Sequence, residues 1–148
     1  MAYEANIGKQ TTFYEPPDIF FLKLNGHVNW EEGSEINRRH REWGQNLDRV
    51  FFLIDLSTLD RIDPEVRKDA TSTLAALPLR GMVGFNAPIK AKVIAKLIFT
   101  ALNLFSNKAD KVPLHFTSTE AEARAWIEER RRELDLAAKT AAEAVHGH

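Results

Sequence analysis

Residues 50–56, Val-Phe-Phe-Leu-Ile-Asp-Leu, hold one charge among aromatic and branched apolar side chains, and this run constrains the fold more than any other segment. A strand this apolar is central in its sheet and covered on at least one face, and its lack of polar alternation points to both. The remainder of the chain must therefore supply helices that lie over a sheet.

The flanking segments read that way. Residues 13–15 and 19–24 form an opening pair of strands, broken by Pro16, Pro17 and Asp18, with Asn25-Gly26 as the exit turn. A helix over about 30–45 follows; Asn29 and Glu32 make a capping box, and Ile36, His40, Trp43 and Leu47 share one face. After a turn over 59–63, Asp63 caps a helix that opens with Pro64 and Glu65 and turns Val66, Ala70, Leu74 and Leu77 inward. Residues 79–85 read as a strand, 86–107 as a helix and 112–116 as an edge-like last strand. Thr119 and Glu122 then open a final helix that buries Ala123, Trp126, Ile127 and Leu134. The expected class is α/β: one domain with a small mixed sheet of about five strands, parallel crossovers and about four flanking helices. Its span is 13–134, preceded by an N-terminal extension over 1–12 and followed by an alanine-rich helical tail over 135–148 that is expected to fray.

Charge and composition narrow the partners. With 20 basic and 21 acidic side chains the net charge is -1, so no global field recruits nucleic acid, and no nucleic-acid partner is expected. The chain has no cysteine, which removes disulfides and thiolate chemistry and fits a reducing compartment. The first residues contain no apolar signal core, so a cytoplasmic location is expected.

The helix over 86–107 carries the most suggestive surface. Asn86 is placed to cap it and Pro88 to sit in its first turn, so that it starts near Ala87. Winding it at roughly 100° per residue puts Lys92, Lys96, Thr100, Asn103 and Asn107 in one wet stripe. Most of the remaining circumference is apolar, including Val93, Ile94, Leu97, Ile98, Ala101, Leu102, Leu104 and Phe105, with Phe99 near the stripe's edge. That is more than an ordinary surface helix hides. Much of it is expected to be core, wedged between sheet and neighbouring helix; any surplus would line a cavity or meet a partner, a second copy of the chain included. Lys90, Lys92 and Lys96 exclude a transmembrane helix.

Positive charge in the first turns of a helix is locally unfavourable. Lys90 and Lys92, with Arg80 and Asn86, are therefore candidates to hold an anionic head group, and Ile94, Ile98, Phe99 and Leu102 the apolar tail behind it. The plainer alternative is a pair of solvated lysines. Arg130, Arg131 and Arg132 point in different directions and are expected to serve solubility.

Candidate catalysis is thin. His27, His40 and His115 lie in separate elements and His146 and His148 in the tail, so no metal site is expected, and His40 reads as packed against Trp43. Asp55, Asp60 and Asp63 gather at the end of the central strand, where capping and turn formation explain them as well as chemistry does. No nucleophile elbow, phosphate loop or dinucleotide fingerprint is present, so no catalytic residue and no cofactor are expected.

The succession VFFLIDLSTLDRID, PEVRKDATSTLAAL, RGMVGFNA, PIKAKVIAKLIFTALNLFSN and VPLHFTSTEAEARAWI resembles the STAS-like family, which includes the anti-sigma-factor antagonists. Within it, HFTSTEAEARAW is similar to the last strand and helix of the bacterial SpoIIAA-like proteins of unassigned function. The resemblance implies a module for docking or ligand binding rather than catalysis. In the antagonists a partner kinase phosphorylates a serine at the start of the helix after the central strand. Here that place reads Asp60-Arg61-Ile62-Asp63-Pro64-Glu65, with no hydroxyl, so the phospho-serine switch is not expected. Asp60, Asp63 and Glu65 remain candidates for a partner-docking turn. The leading expectation is a non-catalytic interaction module. The alternative is a carrier or sensor of a small amphiphile or lipid, and a small hydrolase built on the three aspartates comes last.

Overall fold

In the computed structural model, which describes residues 3–105 and 111–146, the apolar run at 50–56 opens the strand on which the sheet is built. The strands are β1 (Glu4–Ile7), β2 (Gln10–Glu15), β3 (Ile19–Val28), β4 (Val50–Ile62), β5 (Leu79–Phe85) and β6 (Leu114–Thr117). The helices are α1 (Trp30–Gly44), α2 (Pro64–Ala76), α3 (Ile89–Phe105) and α4 (Glu120–His146). One mixed sheet runs in the order β1-β2-β3-β4-β5-β6, antiparallel up to β3 and parallel from β3 to β6. Six strands thus stand where about five were expected, because β1 lies within the segment set apart as an extension and pairs with β2 from Glu4↔Phe13 to Ile7↔Gln10.

Sequential order has a direct consequence for layering. Parallel crossovers of one hand that always step the same way leave their helices on the same face. Accordingly Ile36 of α1, Val66 and Leu74 of α2, and Ala91, Phe99 and Leu102 of α3 share a core with Phe20, Leu22, Phe52, Ile54 and Leu56. The alternate residues, Ile19, Phe51, Leu53, Val83 and Phe85, face α4 through Ala123 and Ile127. The first half of β4, Val50 to Ile54, is therefore buried on both faces.

Several expected boundaries move. Asn25-Gly26 does not end β3; Gly26 takes a positive φ of 62° within a register irregularity against β4. The Gln10 amide serves the backbone there, donating to the Asn25 carbonyl (3.0 Å) and accepting the Asn25 N–H (2.6 Å). β4 continues to Ile62 because this longer β3 pairs with it as far as Val28↔Ile62, so of the expected turn over 59–63 residues 59–62 are strand. Asp63 holds the N-cap position of α2 but makes no side-chain cap, since its carboxylate bonds His27 Nε2 at 2.6 Å instead. Asn29 does cap α1, accepting the Glu32 N–H at 2.9 Å, and Thr119 Oγ1 accepts the Glu122 N–H at 3.1 Å. Asn107 and residues 147–148 lie outside the described residues.

α1 and α2 approach closely at Gly33, where a Cβ would lie 2.2 Å from Val66 Cγ1. Gly33→Ala is expected to cost about 1–2 kcal/mol, overpacking outweighing the gain in helix propensity. Adding Val66→Ala should shrink the penalty of the glycine substitution. Urea midpoints of the two singles and the double measure this, and an unchanged midpoint for Gly33→Ala would contradict the contact.

Candidate docking surface

β5 delivers the chain to α3 through residues 86–88. Asn86 has φ 55°, a left-handed turn that asparagine tolerates, and its N–H donates to Thr117 O at 3.1 Å. It is the corner of the connection and not the expected cap. The helix starts at Ile89, about two residues late, with the Lys92 N–H donating to Pro88 O at 3.1 Å.

α3 is also rotated from the expected orientation. Ala91, Phe99 and Leu102 are buried, and Ile94 and Ile98 half-buried. Outward point Ile89 (81% exposed), Val93 (52%), Leu97 (52%) and Leu104 (70%), which fall within an arc of about 80° at 100° per residue. Lys96 and Thr100 share that exposed side. The other two described members of the expected wet stripe turn toward the protein. Lys92 lies over the Phe116 ring, 5.8 Å from its centre, and the Asn103 side chain holds the backbone of Val112, accepting its N–H at 3.1 Å and donating to its carbonyl at 3.2 Å. Apolar side chains occupy the solvent side that these two vacate.

Beside the stripe, α2 and α3 diverge around an open groove of about 610 Å³. Arg67, Lys68, Thr71, Ser72 and Ala75 form its α2 wall; Leu97, Ile98, Ala101 and Leu102 form its α3 wall. Beneath the helices a separate cavity of about 90 Å³ is lined by Ile94, Ile98 and Phe99 together with Phe52, Ile54 and Leu74. Its volume is far below the roughly 300–1,000 Å³ of an ordinary ligand pocket.

Of the four candidate anion-site residues only Asn86 and Lys92 come together. Arg80 stands at the start of β5 and Asn86 just beyond its end, roughly 20 Å apart at 3.3 Å per residue. The Arg80 carbonyl accepts from Arg130 Nε at 3.0 Å, far from the α3 start. Lys90 pairs with Asp60, whose carboxyl it holds below its ordinary range through the hydrogen bond and its charge. Lys92 faces a different hollow, shared with Asn86, His115, Thr117 and Glu122. Ile94, Ile98 and Phe99 do come together at the cavity, while Leu102 joins the groove.

The candidate docking turn is likewise divided. Asp60 belongs to Lys90, Asp63 to His27, and Glu65 is exposed in the first turn of α2. Arg67 and Lys68 were not anticipated at a site, since only the inward stripe of α2 has a periodic signal. Val93 and Leu97 were visible as apolar residues, but their exposure depends on which polar neighbours are drawn inward. Among the described residues no three His, Asp or Glu side chains are grouped to hold a metal ion, and no helix is long and apolar enough to cross a membrane.

No family model matches the sequence, and no curated protein matches it. Solved structures do resemble the fold. An uncharacterized DUF3478-family protein from Shewanella loihica PV-4, with a SpoIIAA-like fold, superposes with a TM-score of 0.56 at 12% identity, covering 85% of this chain and 94% of that one. The unphosphorylated anti-sigma factor antagonist SpoIIAA gives a TM-score of 0.49 at 9% identity, over 79% of this chain and 96% of its own. The mixed sheet, the parallel crossovers and the four helices on its faces give this chain a SpoIIAA-like, STAS-like fold.

Proposed function

We propose that the protein is a non-catalytic interaction module of the bacterial cytoplasm that docks another protein through α3 and the adjoining face of α2. The observation that carries this reading is the row of Ile89, Val93, Leu97 and Leu104 on one side of a single helix, exposed beside an open groove. Contiguous apolar surface of this kind, rimmed by polar residues, marks interaction sites. The start of α2, Asp63-Pro64-Glu65, has no hydroxyl to phosphorylate, so docking is set by the surface and not by a phospho-serine there. An amphiphile carrier has less support, because the cavity at Ile94, Ile98 and Phe99 is too small for an acyl chain.

A photo-crosslinking residue at Leu97 tests the proposal in the producing cell, with the same residue at exposed Glu129 on α4 as control. A discrete protein adduct from position 97 alone is expected. The reading fails if both positions give the same adducts or neither gives one, and a lipid adduct would replace it with the carrier.

A further inference from the structure

We infer that the α2–α3 groove receives an acidic amphipathic helix of the partner protein, with its apolar residues against Leu97, Ile98 and Ala101 and its carboxylates on Arg67 and Lys68. This rests on the docking reading above and adds the chemistry of the occupant.

Shape is the first support. The α2 residues along the groove, from Pro64 through Arg67, Lys68, Thr71 and Ser72 to Ala75, follow one face over about three turns, roughly 16 Å at 1.5 Å per residue. Small side chains at Ser72, Ala75 and Ala101 allow a backbone to come close. Three turns of helix match that length, and the apolar anchors of such a helix recur every three or four residues, as in other helix-in-groove contacts.

Charge is the second. Arg38, Arg49, Arg124 and Arg131 each hold a carboxylate within this chain. Arg67 does not: it lines the groove with Lys68, and among the described residues Arg67, Lys68 and Lys96 make no ion pair. No carboxylate lines the groove. A guanidinium and an ammonium that line an open groove and meet no carboxylate of their own chain are best matched by carboxylates brought by the occupant.

Extent separates a helix from a single acyl chain bearing a carboxylate. Val93 and Leu104 extend the apolar surface across the outer side of α3, adjoining the groove at Leu97 and Ala101. A chain lying along the groove leaves that surface wet, whereas a helix about 10 Å wide covers both.

The test is titration of the ¹⁵N-labelled full chain with two capped model peptides of about 14 residues, each with leucines at i, i+3, i+4 and i+7, one carrying glutamates and the other lysines at its remaining positions. The acidic peptide is expected to bind saturably, shifting α2 and α3 amides, and at least about tenfold more tightly than the basic one. The double variant Arg67→Glu, Lys68→Glu, checked for an unchanged spectrum elsewhere, should reverse that preference. Absence of saturable binding, shifts outside α2 and α3, or equal affinity for the two peptides would overturn the acidic-helix inference. So would saturation of the groove by sub-micellar dodecanoate or phosphatidylglycerol vesicles without peptide preference. A protein adduct at position 97 together with indifference to peptide charge removes the acidic partner and keeps the docking surface; loss of the adduct removes both.

Discussion

Asp18→Ala is expected to lower the free energy of unfolding by about 2–4 kcal/mol, because it leaves two partly buried guanidinium groups facing one another without their shared anion. The Asp18 side chain is 4% exposed in the turn between β2 and β3. Arg49 Nε donates to its Oδ2 at 2.9 Å, and Arg131 reaches both carboxylate oxygens, Nε to Oδ2 at 3.3 Å. The two arginine side chains, 29% and 18% exposed, also lie over the Phe51 ring, 5.9 and 5.8 Å from its centre. Arg49 continues to Asp135 at 2.9 Å, so one carboxylate ties the β2–β3 turn, the approach to β4 and the middle of α4 together. Urea unfolding at neutral pH measures the loss. Asp18→Asn should fall between wild type and alanine, since an amide keeps one acceptor without the charge. In a double-mutant cycle, Arg131→Met should cost less in the Asp18→Ala background than alone, the charge it removes there being unpaired. A loss for Asp18→Ala below about 1 kcal/mol would show that the carboxylate is not holding α4 to the sheet.

This network also shows where the sequence ceases to be legible. Arg130, Arg131 and Arg132 look alike in one dimension, and solubility is the natural expectation for all three. Only Arg132, paired with Glu129 on its own helix, fits it; Arg131 meets a residue 113 positions away and Arg130 a backbone carbonyl on β5. Hydrophobic periodicity has no term for such pairings. It does find what repeats: the apolar run of β4 and the inward stripes of α1 and α2. It misses β1, whose four residues include two polar ones and which is held by its ladder to β2 and by the Tyr3–Tyr14 edge contact at 5.1 Å. The far half of β4 escapes for the same reason. Thr58, Asp60 and Arg61 are polar because that half projects beyond β5, whose pairing with β4 ends at Asp55↔Phe85.

The candidate surface was legible as a helix and wrong as an orientation. A helical wheel assumes that lysine and asparagine face water. In α3 the ammonium of Lys92 lies over the Phe116 ring and Asn103 satisfies a neighbouring segment's backbone, so the wheel turns and Val93 and Leu97 come out. Arg80 failed for a simpler reason. Proximity to Asn86 in sequence places the two at opposite ends of one extended strand, and functional groups gather by strand end, not by residue number.

The sequence makes His40 a packing residue, and its surroundings make it a titration probe for the whole core. Its ring is 2% exposed, with Phe52 at 5.0 Å, Phe20 at 5.4 Å and Trp43 at 5.8 Å between centres. Thr12 Oγ1 lies 2.9 Å from Nε2 and donates its own hydrogen to Phe21 O at 2.7 Å, so Nε2 carries the proton in that bond. Burial among aromatic rings and away from water pushes the imidazole down to about 3. The unfolded chain takes up this proton near pH 6.5 and the folded chain does not, so the contribution is intact above that pH and is lost on acidification. The expected loss is up to about 1.4 kcal/mol per pH unit, or roughly 2–3 kcal/mol between pH 7.5 and 4.5. Glu35, held at about 2 by hydrogen bonds from Arg38 and Arg39, begins to lose its contribution only below its unfolded value of 4.5, so it does not overlap that interval. Urea unfolding of wild type and His40→Gln across the range isolates the effect: the variant should be the less stable at pH 7.5, and the gap should narrow by roughly 2–3 kcal/mol toward pH 4.5. A gap that stays constant would mean that His40 gains its proton in the folded state as readily as in the unfolded one, and that the core between the sheet and α1 admits water.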